Sequence, residues 1–327
     1  MSDLLTILVP CYNAERYLRR CTNSLESLSK DIHIIFVNDG STDATSRLVN
    51  DWIENHPNAL LIDKKNGGYP SAINVGLDTC DTKYVMFLGV DDEVVAHGIN
   101  KIYDILLNNS PDILCFSTTK IYDDELNQMP IKDRITHYSK EGLFEMGLFD
   151  FCKENQQDSQ ILFTRDTSRC FKMSVIADIR YFGKIGVSAD GCFSTLVASK
   201  AHSFGFINEE GYVWHLHHDS VSAQKKSLYK LIDEVSVWNM YFQNIQKYVP
   251  DIRIPKPIIS HFLIYKSRVL NLKRNKGKSE IVQYHELGIK RYRAWLLKSH
   301  YLSLRSRMAL LYPGIWLMLV KILKHNK

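Results

Sequence analysis

Short apolar runs and amphipathic stretches alternate along the first hundred or so residues. Thr6-Ile-Leu-Val9, Ile32 to Val37, Leu60-Leu61-Ile62, Tyr84 to Leu88 and Ile113 to Phe116 are brief runs rich in Ile, Val, Leu and Phe. Such runs predict buried strands. Between them apolar residues recur at helical spacing: Leu18, Cys21, Leu25 and Leu28; then Leu48, Val49, Trp52 and Ile53; then Ile99, Ile102, Tyr103 and Leu106. Ser41-Thr42-Asp43 supplies a helix start, His56-Pro57 a stop, and Pro70 opens a helix through Leu77, since proline suits a first turn. Alternating β and α predicts a mostly parallel, doubly wound sheet with helices on its faces.

Beyond Lys120 the pattern loosens. Helices are expected around Ser139–Lys153 and Cys192–Lys200, and strands around Phe204–Ile207 and Tyr212–Leu216. From about Ser222 onward the pattern is helical, broken by Pro250, Pro255 and Pro257. We therefore expect an α/β domain over residues 1–223, in halves 1–110 and 111–223, and a mostly helical region over 224–327.

Ligands in open α/β sheets gather at the carboxyl ends of the strands. Four polar, turn-like loops fall on that edge: Pro10-Cys-Tyr-Asn13, Asn38-Asp-Gly-Ser-Thr-Asp43, Asn66-Gly-Gly-Tyr-Pro-Ser71 and Gly89-Val-Asp-Asp92. Each alone reads as an ordinary turn. Together they offer a ring to pack on a base (Tyr12), a carboxylate for a base N–H (Asp39) and glycines for close backbone approach (Gly67 and Gly68). Asp91 and Asp92 repel one another unless a positive group sits between them. A hard divalent cation is the economical one, and it implies a phosphate-bearing ligand.

These motifs resemble family 2 glycosyltransferases, which are inverting enzymes of the GT-A fold. The family's Val-Pro-x-Tyr-Asn stands as Val9-Pro10-Cys11-Tyr12-Asn13, and its Val-Asp-Asp-Gly-Ser-Thr-Asp as Val37 to Asp43. Its Asn-x-Gly-x-x-x-Ala-Arg-Asn-x-Gly stands as Asn66 to Gly76, with Ala72 and Asn74 matched, and its Phe-Leu-Asp-x-Asp-Asp as Phe87 to Asp92. The resemblance is strong over residues 4–110, fair to about 223 and absent beyond. It implies a nucleotide-sugar site containing Pro10, Tyr12, Asn13, Asp39, Asn66, Gly68, Asn74 and Asp91. It also implies Mn2+ or Mg2+ at Asp91 and Asp92, with His217 or His218 in reach, and Asp190 as the catalytic base. Asp190 read by itself would simply cap a helix. Three positions depart from the family pattern: Gly89 for the first aspartate of D-x-D, Ile73 for an arginine and Ala189 for an acid. His215 also stands where the family has an arginine, and Asp123-Asp124-Glu125 reads as a solvated turn.

Charge extends the picture to the acceptor. Lys225 to Lys327 holds 21 Lys and Arg against 5 Asp and Glu, a net +16, while the preceding residues carry −11. Apolar groups Trp295-Leu-Leu297, Leu310-Leu-Tyr312 and Ile315–Val320 lie among these cations. That mixture suits an anionic membrane surface better than nucleic acid. Seven cysteines without a C-x-x-C pairing, an N-terminus without a basic segment and no long apolar span predict a cytoplasmic protein, peripheral on the inner face of the membrane. The expected activity is transfer of a sugar from a nucleotide-sugar donor, a UDP-sugar, to a glycan or lipid-linked acceptor in surface polysaccharide biosynthesis. The alternative is a non-catalytic sugar-nucleotide-binding or scaffold subunit. A homo-oligomer is left open by the sequence.

Overall fold

The structure is a computed structural model. It describes residues 4–122, 132–134, 138–155, 157–185, 188–217, 227–249, 254–275 and 279–298, with Arg307, Leu310 and Leu311. In chain order it forms β1 (Leu5–Cys11), α1 (Glu15–Leu25), β2 (Ile32–Asn38), α2 (Thr45–Ile53), β3 (Ala59–Asp63), α3 (Tyr69–Thr79) and β4 (Tyr84–Phe87). β5 (Glu93–Val94), α4 (Ala96–Asn109), β6 (Ile113–Tyr122), β7 (Lys132–Arg134), β8 (Gly142–Glu145), α5 (Leu148–Glu154) and a 3-10 turn (Asp158–Phe163) follow. β9 (Arg169–Lys172), α6 (Met173–Ile176), α7 (Ala189–Lys200) and β10 (Ser203–Leu216) complete the sheet region. Three helices end the described chain: α8 (Leu228–Tyr248), α9 (Lys256–Arg274) and α10 (Ser279–Leu297).

One sheet runs in the order β3-β2-β1-β4-β9-β6-β10-β5, with β7 on β6 and β8 on β10. Its first four strands are parallel, as the alternation predicts. β9 is the departure: it inserts antiparallel between β4 and β6, so Cys170 faces both Met86 and Leu114. The two strands expected near residue 210 are one bent strand, β10, whose register against β6 shifts between Phe206 and Tyr212. The helix expected over Ser139–Lys153 starts only at Leu148, because residues 142–145 pair with β10 instead.

Alternation along the strands separates two apolar layers. Ile7, Val9, Phe36, Met86 and Phe116 pack with α1, α2 and α4. Leu8, Val37, Phe87, Cys115 and Phe171 pack with α3, α7 and the C-terminal helices. α7 is buried along nearly its whole length, from Ala189 to Ala198, which a helix tolerates only when covered on all sides. The sheet covers one side and α8 another, through Leu231, Val235, Trp238, Phe242 and Ile245. Trp295, Leu296 and Leu310 belong to this same core. These tail residues therefore face protein, which removes them from the apolar groups expected to meet a membrane. Among the described residues no helix is long and apolar enough to cross one. His218, the Asp123-Asp124-Glu125 turn and Ile315–Val320 lie outside the described residues. All seven cysteines are free.

Candidate active site

The four loops meet at the carboxyl edge of β1, β2, β3 and β4, and their polar side chains mostly fasten one loop to another. Asn13 sits in the left-handed region, φ 45°, which asparagine tolerates. Its backbone N–H donates to Ser41 Oγ at 2.9 Å and its Oδ1 accepts from the Thr42 N–H at 2.8 Å. Pro10 is buried in β1, while Tyr12 beside it is 54% exposed and free to lie against a planar ligand. Asp39 is buried and accepts from the N–H groups of Gly67 at 2.9 Å and Gly68 at 2.7 Å, and from the Lys64 ammonium. Asn66 is exposed next to Gly40. Asn74 is committed to protein: its amide exchanges two hydrogen bonds, 2.8 and 3.1 Å, with the backbone of Tyr181.

The two aspartates after β4 have separate fates. Asp92 is buried, accepting from the Tyr212 hydroxyl and, at 2.8 Å, from the His215 N–H. Burial first, and the neighbouring Asp91 charge second, push its carboxyl well above the usual range. Asp91 is one-third exposed and its Oδ2 lies 3.0 Å from His217 Nε2. The His217 ring is fixed from behind by Tyr17, stacked at 4.6 Å and 3.2 Å from Nδ1 through its hydroxyl. Arg20 reaches the Asp91 carbonyl.

The chemistry of this donor set bears on a metal. Asp91 Oδ2 and His217 Nε2 lie against each other; the carboxylate oxygen suits Mn2+ or Mg2+, whereas the imidazole nitrogen suits Mn2+ rather than Mg2+, the rest of the shell coming from water or phosphate. Asp92 is turned inward. No convergence of three His, Cys, Asp or Glu that could hold a metal ion occurs among the described residues.

The departures from the family pattern have physical reasons. A Cβ on Gly89 would fall 2.8 Å from Asp92 Oδ2 and 2.9 Å from Asp91 Oδ1, so a side chain there would crowd both carboxylates. Ile73 is fully buried in the core and Ala189 is likewise buried, so a charged side chain at either position would be costly without a partner. His215 pairs with Glu93 at 2.6 Å.

Asp190 stands in the first turn of α7. Burial, then the charge of Asp166, raise its pKa to about 7, and the Gly191 N–H, Arg169 and Arg165 pull the other way. Asp166 was not anticipated from the sequence. It is buried and accepts from the hydroxyls of Tyr69, at 3.2 Å, and Tyr181. Burial lifts its carboxyl too. Arg165 lies 5.5 Å from the Trp214 ring centroid, and burial, then Arg169, lower its pKa. No local pattern marks these residues, because the strand that follows them, β9, is only four residues long and has charged ends, Arg169 and Lys172. Tyr69, half-buried, ties the parts together: after desolvation, the charges of Asp166, Asp190 and Asp91 all push its hydroxyl up.

The family model described as glycosyl transferase family 2 matches residues 6–180, more than half of the chain. The chain belongs to glycosyl transferase family 2. Its match includes all four loops, Asp91, Asp92 and Asp166. Among curated relatives, "Glycosyltransferase GlyA" of Streptococcus pneumoniae is 24% identical over 297 residues, 89% of this chain and 41% of that protein. "Teichoic acid poly(glycerol phosphate) polymerase" of Staphylococcus epidermidis is 37% identical over 113 residues, 34% of this chain and 16% of that protein. "Chondroitin synthase" of Escherichia coli is 30% identical over 141 residues, 43% of this chain and 21% of that protein. The chain thus spans less than half the length of each of these relatives. Among solved structures, S. aureus TarS in complex with UDP-GlcNAc superposes with a TM-score of 0.68 at 17% identity, covering 96% of this chain and 88% of that one. At that identity the likeness speaks for the GT-A fold alone.

Proposed function

We propose that this family 2 chain transfers a sugar, with inversion, from a nucleotide-sugar donor to a hydroxyl of a glycan or lipid-linked acceptor. One observation carries the reading. Asp91, backed by His217, and Asp190, with its pKa lifted to about 7, both lie close enough to one half-buried tyrosine, Tyr69, for their charges to raise its pKa. An inverting transfer needs those two things on either side of the anomeric carbon: a place for the departing diphosphate and a base for the attacking hydroxyl. Ionised Asp190 takes the acceptor proton while the acceptor oxygen bonds to the anomeric carbon and the bond to the diphosphate breaks. Tyr12 packs on the base, Asp39 with Gly67 and Gly68 shapes the floor beneath it, and Asp91 with His217 would hold the cation. Mn2+ or Mg2+, when bound, neutralises charge on the leaving diphosphate.

UDP-GlcNAc is the donor to try first, since TarS, of the same fold, was solved with it. Relatives named for teichoic acid and chondroitin synthesis favour an acceptor in surface polysaccharide assembly. Attachment to the inner face of an anionic membrane now rests on exposed Tyr284, Leu287, Lys290 and Arg291 of α10 rather than on Trp295 and Leu296. The scaffold alternative drew its support from Gly89, Ile73 and Ala189, and each of these has a packing reason unrelated to loss of activity.

The test is a set of nucleotide sugars assayed for thermal stabilisation, with Mn2+ or chelator, and for nucleoside diphosphate release. Bound donor raises stability by mass action, and at least one should do both. Stabilisation without release, with every acceptor tried, would return the chain to the scaffold reading.

A further inference from the structure

The segment that leads into Asp190 is held by α8, an element outside the 6–180 family match. Asp233 accepts from two successive backbone N–H groups, Lys184 through Oδ1 and Ile185 through Oδ2, each at 3.0 Å. Next to it Glu234, 1% exposed, accepts from the Ser188 hydroxyl at 3.1 Å and from Arg268 Nε of α9 at 2.9 Å. Ser188 is the residue before α7 and has φ 63°, so the chain turns sharply into the helix there. Gly183 has φ 85°, and a Cβ on it would fall 2.5 Å from Val237 Cγ2 and 3.0 Å from Asp233 Oδ2. On its other side the segment touches the donor loop: a Cβ on Gly68 would fall 1.8 Å from the Lys184 carbonyl oxygen. Gly68 is also one of the two amides bound by Asp39.

We infer that Asp233 and Glu234 are positioning residues for Asp190. They clamp the segment between the donor loop and α7, so that the C-terminal helices complete the active site. This rests on the reading of Asp190 as the base. Neither side chain touches Asp190; both act through the backbone and Ser188, which fix where the first turn of α7 begins. A buried carboxylate left without partners is costly. Glu234 finds a hydroxyl and a guanidinium there. Such a clamp matters to rate because a displacement of about 1 Å at a reacting group can cost about 10²-fold.

The experiment compares Glu234→Ala, Glu234→Gln and the milder Ser188→Ala with the wild-type chain. Amide hydrogen exchange of peptides spanning residues 183–195, equilibrium binding of UDP with Mn2+, and the rate of UDP release from UDP-GlcNAc are read for each. Glu234→Ala should speed exchange in that span by tenfold or more and slow turnover by about 10²-fold, with UDP affinity changed less than about threefold. Glu234→Gln, which can still accept from Ser188, should recover most of both effects, and Ser188→Ala should show a smaller loss of the same kind. Unchanged exchange in Glu234→Ala and in Ser188→Ala would overturn the clamp, whatever the activity. Faster exchange with undiminished turnover would overturn the positioning role. If Glu234→Ala loses protection and UDP binding everywhere, the variant is generally destabilised and Ser188→Ala decides: normal exchange over residues 183–195 and normal turnover in it would overturn the clamp. If the wild-type chain releases no UDP, the proposed function fails while the exchange measurement still decides the clamp.

Discussion

The rate of nucleoside diphosphate release at saturating donor should climb about tenfold between pH 6 and pH 8 and then level off. Asp190 must be ionised to accept the acceptor proton, and its pKa is about 7. One unit below that value roughly 10% of the groups are ionised, and one unit above roughly 90%. Asp166→Asn removes the neighbouring negative charge, the second cause of the shift, and leaves burial, the first. The rising limb should therefore move to lower pH without reaching the ordinary carboxylate range. Initial rates across the pH series, at fixed ionic strength, read both. A wild-type profile flat from pH 6 to 8, or a limb that moves upward in Asp166→Asn, would refute the reasoning. The same shift has a stability side. A carboxyl whose pKa is raised by folding contributes stability that is present below its unfolded value and lost as pH rises through about 7. Asp190→Asn should thus melt at or above the wild-type temperature at pH 8, and the difference should shrink by pH 6. Turnover of that variant should fall by about 10²-fold or more, the usual scale of general-base catalysis.

Mn2+-dependent strengthening of UDP binding should be lost in Asp91→Ala but largely kept in Asp92→Asn, because Asp92 is bonded inward to Tyr212 and His215; isothermal titration with metal and with chelator decides, and the opposite order would move the metal to Asp92. Gly68→Ala should cost about 2–5 kcal/mol in denaturant unfolding, from left-handed strain at φ 87° plus the contact with Lys184, and a loss under about 0.5 kcal/mol would show that the segment yields. Trp295→Ala should cost about 3–5 kcal/mol if Trp295 is a core residue, whereas unchanged stability with lost binding to anionic vesicles would restore it to a membrane face.

The parallel half of the fold, β1 to β4 with α1, α2 and α3, was legible because its signals are local. Strand and helix periods show within a few residues, and alternation then leaves few topologies. The same topology brings Tyr12, Asp39, Gly68 and Asp91 to one edge without any knowledge of side-chain contacts. Tertiary structure alone decided what each of them does there. Asn74 carries a motif position yet spends its amide on the Tyr181 backbone, and Asp92 accepts from a tyrosine 120 residues away in sequence. Asp166 could not be foreseen, because β9 reaches the middle of the sheet by antiparallel insertion and no local pattern announces it. The tail shows the limit most clearly. An apolar face among cations has the same sequence pattern whether it meets lipid or protein, since both remove it from water equally well. That Trp295 and Leu296 meet the core around α7, and that α8 grips the approach to Asp190, follows from which surfaces come together, a fact that exists only once the chain is folded.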